Sequence, residues 1–150
     1  MAEVPFGRSD AATLMQPKLL VIDDDADTRD ALSATLTQRG FEVACAKTGA
    51  AAIEQLERSA FDAVISDLNM PGMSGIDLCR RMEQSWPALP VVLVTGFRNP
   101  AMTTAAMRAG ACDVLSKPIQ IDGLLRTLAR VLDHQPVRDD EVPPDTTSYS

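Results

Sequence analysis

Lys18-Leu19-Leu20-Val21-Ile22-Asp23-Asp24-Asp25 decides how the rest of the chain is read. Four apolar residues stand in a row without polar alternation, end in β-branched side chains, and run straight into three carboxylates. Such a run suits a strand buried on both faces, as in a parallel sheet covered on both sides. The phrase returns at Phe61 to Ser66, which runs into Asp67, and at Val91 to Val94, which runs into Thr95-Gly96. Phe41 to Ala46 and Cys112 to Ser116 read as two further strands, the second leading into Lys117-Pro118.

Between these strands lie helical stretches. Asp27 to Arg39 carries Ala31, Leu32, Thr35 and Leu36 on one side and meets Gly40, a residue typical just past a helix end. Ala50 to Arg58 is a second helix. Pro71-Gly72-Met73-Ser74-Gly75 is turn material, after which Ile76, Cys79 and Met82 recur at helical spacing up to about Ser85, where Trp86-Pro87 closes the helix. Ala101 to Ala109 is closed by Gly110, and Ile121, Leu124, Leu125, Leu128, Val131 and Leu132 follow the amphipathic i, i+3, i+4, i+7 spacing. A βα unit repeated five times predicts a doubly wound α/β domain, because each right-handed crossover returns a helix over a parallel sheet.

Composition bounds the function. The 150 residues are 45% apolar and 23% charged, which fits one globular domain with some tail. The longest apolar runs are far shorter than the roughly 20 residues a spanning helix needs. No secretory signal is read at Met1 to Gln16, and a cytoplasmic protein is expected. The net charge of -7 argues against direct binding to nucleic acid or anionic membranes. Cys45, Cys79 and Cys112 are odd in number and widely spaced, and read as reduced, mostly buried thiols. The expected organisation is a flexible segment 1–16, a folded domain 17–133, and a disordered acidic and proline-bearing tail 134–150. His134 reads as a surface residue.

In open α/β sheets the site lies beyond the carboxyl ends of the strands, where strand order reverses. There the sequence delivers Asp23, Asp24 and Asp67, the Thr95 hydroxyl and the Lys117 ammonium. Two like charges about 4 Å apart repel by about 4 kcal/mol at an effective dielectric near 20, so a cation is the natural complement. Oxygen-only ligands favour Mg²⁺. A calcium loop begun at Asp23 fails, because Thr28 stands where glycine is needed and Ala34 where glutamate is needed. A carboxylate beside a cation, a hydroxyl and an ammonium can accept a phosphoryl group, and Asp67, followed by Gly72 and Gly75, is the favoured nucleophile. Taken singly, Asp23 to Asp27 would serve as helix caps, Lys117 as a solvated charge and Thr95 as a backbone-bonded hydroxyl.

Val-Ile-Asp-Asp-Asp at 21–25, Ser-Asp-Leu-Asn-Met-Pro-Gly-Met-Ser-Gly at 66–75, Val-Thr-Gly at 94–96 and Ser-Lys-Pro at 116–118 together resemble the receiver domain of bacterial two-component response regulators. The resemblance covers about Lys18 to Leu132. It implies a flavodoxin-like five-stranded sheet in the order 2-1-3-4-5 with five helices. It implies phosphotransfer to Asp67 from a sensor histidine kinase or a phosphotransfer protein, with Mg²⁺ on Asp24, Asp67 and the Asn69 backbone carbonyl. Asp23 would act mainly through a bound water, and Thr95 and Lys117 would sense the phosphoryl group.

The resemblance further implies slow self-dephosphorylation, a switch rather than a metabolic enzyme, and a cis bond at Lys117-Pro118. Its output surface would be the fourth helix, fifth strand and fifth helix, here including Met102, Ala106, Met107, Val114, Leu125 and Arg126, to which a downstream protein or, after phosphorylation, a second copy would bind. About 18 residues follow the domain, so output through another protein is expected.

Receivers commonly place Tyr or Phe three residues before the lysine. Here that residue is Val114, so coupling of an aromatic rotamer to Thr95 cannot operate in its usual form. Two rivals remain at this stage. A haloacid dehalogenase-type phosphatase would use Asp23 as nucleophile, but residue 27 is Asp where that motif wants Thr or Val, and no acidic pair follows Lys117. A receiver that has lost phosphorylation would act by contacts alone.

Overall fold

The computed structural model describes residues 16–133. The expected loose ends, Gln16 apart, and His134 lie outside the described residues. Five strands, β1 (Lys18–Ile22), β2 (Glu42–Ala46), β3 (Ala63–Asp67), β4 (Val91–Thr95) and β5 (Asp113–Ser116), alternate with α1 (Ala26–Gln38), α2 (Gly49–Arg58), α3 (Gly75–Ser85), α4 (Pro100–Arg108) and α5 (Ile121–Asp133). All pairings are parallel and the order is β2-β1-β3-β4-β5. The doubly wound, flavodoxin-like arrangement expected from the sequence is therefore the one observed.

Alternation within the apolar runs divides the core in two. Leu20, Ile22, Val64 and Leu93 pack with Ile53, Leu56, Leu78, Met82 and Ala106 on one face of the sheet. Leu19, Val21, Ile65 and Val94 pack with Leu32, Leu36, Leu124, Leu128 and Val131 on the other. This is why the strands read as unbroken apolar runs: both faces are covered, and burying each Leu or Val fully is worth about 1.5–3 kcal/mol. All six apolar positions picked out in α5 fall on one buried or half-buried stripe with Leu124, Leu128 and Val131 at its centre. α4 is anchored far more lightly, since Ala106 alone of its residues is buried.

Local chemistry sets the helix starts. The Asp25 carboxylate accepts the Thr28 N–H at 2.9 Å, Ser74 and Asp77 form a reciprocal capping box, and Asn99 caps α4 ahead of Pro100. α1 ends at Gly40, which holds a φ of 98°. β3 begins two residues later than expected, because Asp62 faces β1 from the preceding loop. Its N–H donates to the Lys18 carbonyl at 2.7 Å and its carboxylate accepts the Lys18 N–H at 2.7 Å.

Two sequence expectations change. Ala106 and Val114, assigned to the output surface, are 0% and 1% exposed and belong to the core, since both face inward in a domain layered on both sides. Of the cysteines, Cys79 is buried, with its thiol pushed up to about 12 by desolvation, whereas Cys45 and Cys112 are only half-buried near the sheet margins. Among the described residues no helix is long and apolar enough to cross a membrane.

Gly75 starts α3 where it passes under the end of β3. A Cβ there would lie 2.7 Å from the Asp67 carbonyl oxygen and 2.8 Å from Leu68 Cα, both backbone atoms that cannot swing aside. Gly75→Ala is therefore expected to destabilise the fold by about 1–3 kcal/mol, the usual cost of overpacking, as read by urea denaturation.

Candidate functional site

The chain leaves β1 for β2 on one side and returns to β3 on the other, so the strand order reverses between β1 and β3. Ile22 is in register with Ser66, which sets Asp23 level with Asp67 across that reversal. Asp67 is in register with Val94, and Thr95 with Ser116, so Thr95 and Lys117 each stand slightly further along the same rim. Sheet register alone thus gathers residues from four strands.

The carboxylates of Asp23, Asp24 and Asp67 each offer an oxygen within 4.8 Å of the others. Asp23 and Asp67 are buried and Asp24 is exposed. Lys117 answers part of this charge: its Nζ lies 3.1 Å from Asp23 Oδ2 and 3.6 Å from Asp67 Oδ1. Burial pushes the Asp67 carboxyl above its ordinary range; Lys117 opposes this and the Asp23 charge adds to it. Burial works against the Lys117 ammonium, but its hydrogen bond to Asp23 and the two carboxylate charges outweigh that and hold its pKa above the usual value.

The two buried carboxylates are held differently. Both oxygens of Asp23 are occupied, Oδ1 by the Asp25 N–H at 2.9 Å and Oδ2 by Lys117. Arg29, one turn into α1, donates to the Asp23 carbonyl at 2.8 Å and fixes the loop. In Asp67, the Asn69 N–H at 3.3 Å and Lys117 both meet Oδ1. Asp67 Oδ2 is thus the oxygen without a hydrogen bond from a described residue. This asymmetry disfavours Asp23 as the attacking group.

Thr95 is fully buried and fully bonded. Its Oγ1 accepts from Asn69 Nδ2 and from the Phe97 N–H, both at 3.1 Å, and donates to the Phe97 carbonyl at 3.4 Å. The Lys117 N–H donates to the Thr95 carbonyl at 2.8 Å, and the Lys117-Pro118 bond is cis. Phe97 is 71% exposed, so the aromatic after the β4 glycine is a surface residue. Arg29 and the Asn69 amide are the site residues that sequence reasoning missed. The spacing of Arg29 behind the Asp25 cap hinted at the first; the second depends on a rotamer that no periodicity encodes.

The donor set tests well for a hard divalent cation. Among the described residues it is composed of carboxylate oxygens with no thiol or imidazole in the group, and one lysine leaves it with net negative charge.

The strand order and this rim together define a CheY-like α/β domain. The chain belongs to the response regulator receiver domain family, which matches residues 19–129. It is 42% identical over 116 residues to the response regulator protein FleR of Pseudomonas aeruginosa, covering 77% of this chain and 24% of that protein. It is 36% identical over 130 residues to the transcriptional regulatory protein ZraR of Escherichia coli K12, covering 87% of this chain and 30% of that protein. The chain therefore spans a quarter to a third of the length of these relatives.

Among solved structures, Vibrio cholerae chemotaxis protein CheY4 superposes with a TM-score of 0.73 at 34% identity, covering 77% of this chain and 98% of that one. A CheY-like receiver domain protein from Methanospirillum hungatei superposes at 0.76 and 27% identity, covering 80% and 96%. Family membership gives this domain a phosphorelay signalling role, in which it is a signalling domain rather than a metabolic enzyme.

Crowded charge makes a direct prediction. In metal-free buffer Asp67→Asn is expected to be more stable than the wild type by on the order of 1 kcal/mol, since it removes a buried charge beside two others. Adding Mg²⁺ should narrow or reverse the gap, because only the wild type keeps all three carboxylates for the ion. Urea titrations with EDTA and with Mg²⁺ measure both.

Proposed function

We propose that Asp67 is the phosphoacceptor of a Mg²⁺-dependent phosphorelay switch spanning residues 17–133. The observation that carries this reading is the Asp67 carboxylate itself: it is buried at the topological switch point, held through Oδ1 by Asn69 and Lys117, with Oδ2 unengaged by described residues. Asp67 attacks the phosphorus of a phosphohistidine on a histidine kinase or phosphotransfer protein. The phosphorus–nitrogen bond breaks, the imidazole leaves, and an acyl phosphate remains on Asp67. Hydrolysis by water later restores the carboxylate and releases phosphate.

Asp24, Asp67 and the Asn69 backbone carbonyl would hold the ion, with Asp23 acting mainly through a bound water. When bound, Mg²⁺ neutralises phosphoryl charge as it builds in the transition state. Lys117, already poised between Asp23 and Asp67, supplies a second positive charge to the phosphoryl oxygens, and the Thr95 hydroxyl supplies a donor. Thr95 and Lys117 leave adjacent strands joined by the Lys117 N–H to Thr95 carbonyl bond, so a change at the phosphoryl group is felt at the β4–α4 and β5–α5 loops.

The output face is then the exposed part of α4, β5 and α5. It includes Met107, which is 45% exposed, and Arg126, with Met102 and Leu125 partly exposed beside them. A soft thioether suits an adaptable partner surface.

Incubation with acetyl phosphate and Mg²⁺ is expected to add one acid-stable, base-labile phosphoryl group, located at residue 67 by mass spectrometry and absent in Asp67→Ala. Label retained in that variant refutes the assignment. Lys117→Ala is expected to leave the Mg²⁺ dissociation constant within a few-fold of wild type while slowing phosphoryl transfer at least tenfold, because it deletes a phosphoryl contact and no metal ligand. Calorimetry and a labelling time course separate the two effects.

A further inference from the structure

The Asn69 amide lies between the acceptor strand and the sensing hydroxyl. It is two residues beyond Asp67, and its backbone N–H already donates to Asp67 Oδ1 at 3.3 Å. Its side chain crosses to the next strand end and donates to Thr95 Oγ1 at 3.1 Å. A hydroxyl has one proton and two acceptor directions. In Thr95 both acceptor directions are filled, by Asn69 Nδ2 and the Phe97 N–H, and the proton is directed at the Phe97 carbonyl. Thr95 is 0% exposed, so these bonds are shielded from bulk solvent.

Thr95 can therefore turn its proton toward a group on Asp67 only by giving up part of this set. The two Phe97 bonds are local, within two residues of Thr95, whereas the Asn69 bond spans 26 residues and joins the β3–α3 loop to the β4–α4 loop. It also stands in a chain whose residue three positions before Lys117 is the small, buried Val114. No bulky ring at that position can hold Thr95 in place.

We infer that the Asn69 side chain is a positioning residue that latches the Thr95 hydroxyl oxygen in the unphosphorylated domain, so that Thr95 must both release the Phe97 carbonyl and draw its oxygen away from Asn69 to donate to a phosphoryl group on Asp67. The inference rests on the phosphoacceptor reading of Asp67. It makes Asn69 a determinant of how strongly the unphosphorylated state is favoured, through its side chain and separately from any metal ligation by its backbone carbonyl.

The test uses beryllium fluoride with Mg²⁺ as a non-hydrolysable mimic of an acyl phosphate, in a double-mutant cycle of Asn69→Leu and Thr95→Val on the whole 150-residue chain. Leucine matches asparagine in size, keeps the backbone carbonyl and lacks the donor. Breaking one neutral hydrogen bond on the way to the bound state weakens binding by about 2- to 10-fold, so Asn69→Leu is expected to bind the mimic tighter by that factor. In the Thr95→Val background the Asn69→Leu effect should vanish.

Unchanged or weaker binding of the mimic by Asn69→Leu overturns the latch, as does an equal effect of Asn69→Leu with and without the Thr95 hydroxyl. If the wild type itself does not bind the mimic, it is the phosphoacceptor reading that fails, a result distinct from either.

Discussion

Three carboxylates crowded at the end of a parallel sheet are held there by one ammonium group. Lys117 reaches Asp23 at 3.1 Å and Asp67 at 3.6 Å, and these pairs are what allow two buried carboxylates to sit level with one another. The compensation is incomplete, because Asp24 is left over and burial still raises the Asp67 carboxyl. A fold that tolerates this imbalance must be stabilised elsewhere, and here it is by two apolar layers with Leu19, Leu20, Leu124 and Leu128 fully out of water. The residual negative charge is the property that a cation can exploit.

Topology dictates why those charges meet. A parallel sheet sends every strand's carboxyl end to the same rim, and the reversal between β1 and β3 leaves a crevice that no crossover covers. Helix caps then set the loops: Asp25 starts α1, the Ser74–Asp77 box starts α3, and Gly75 lets α3 approach the Asp67 backbone closely. The loops carrying the acids are thus set by these caps, and a hydrogen bond from Asn69 to Thr95 connects the loop after β3 to the end of β4.

Much of this was readable from residue order. Unbroken apolar runs ending in Asp, Thr or Lys gave the strands and the rim, since burial on both faces removes alternation. Element ends moved by a residue or two, because caps and loop hydrogen bonds such as that of Asp62 to Lys18 decide them and apolar patterning does not. Ala106 and Val114 were misplaced because membership of an output element does not say which side of it faces out. The Asn69–Thr95 and Lys117–Asp23 contacts join residues 26 and 94 positions apart, and they emerge only once register and rotamers are set.

The uneven anchoring of the helices has a mechanical meaning. α5 is tied down twice, by its buried leucines and by Arg130 and Thr127 donating to Asp113 at the start of β5 at 2.8 and 3.4 Å. α4 has Ala106 as its only buried residue, so tilting or fraying it uncovers less hydrocarbon than disturbing any other helix. Thermal fluctuation will therefore concentrate in that element, directly beyond the loop carrying Phe97, and amide protons there should exchange with solvent before those of its neighbours. The lightly anchored flank is thus the part of the domain where the least burial of hydrocarbon opposes movement.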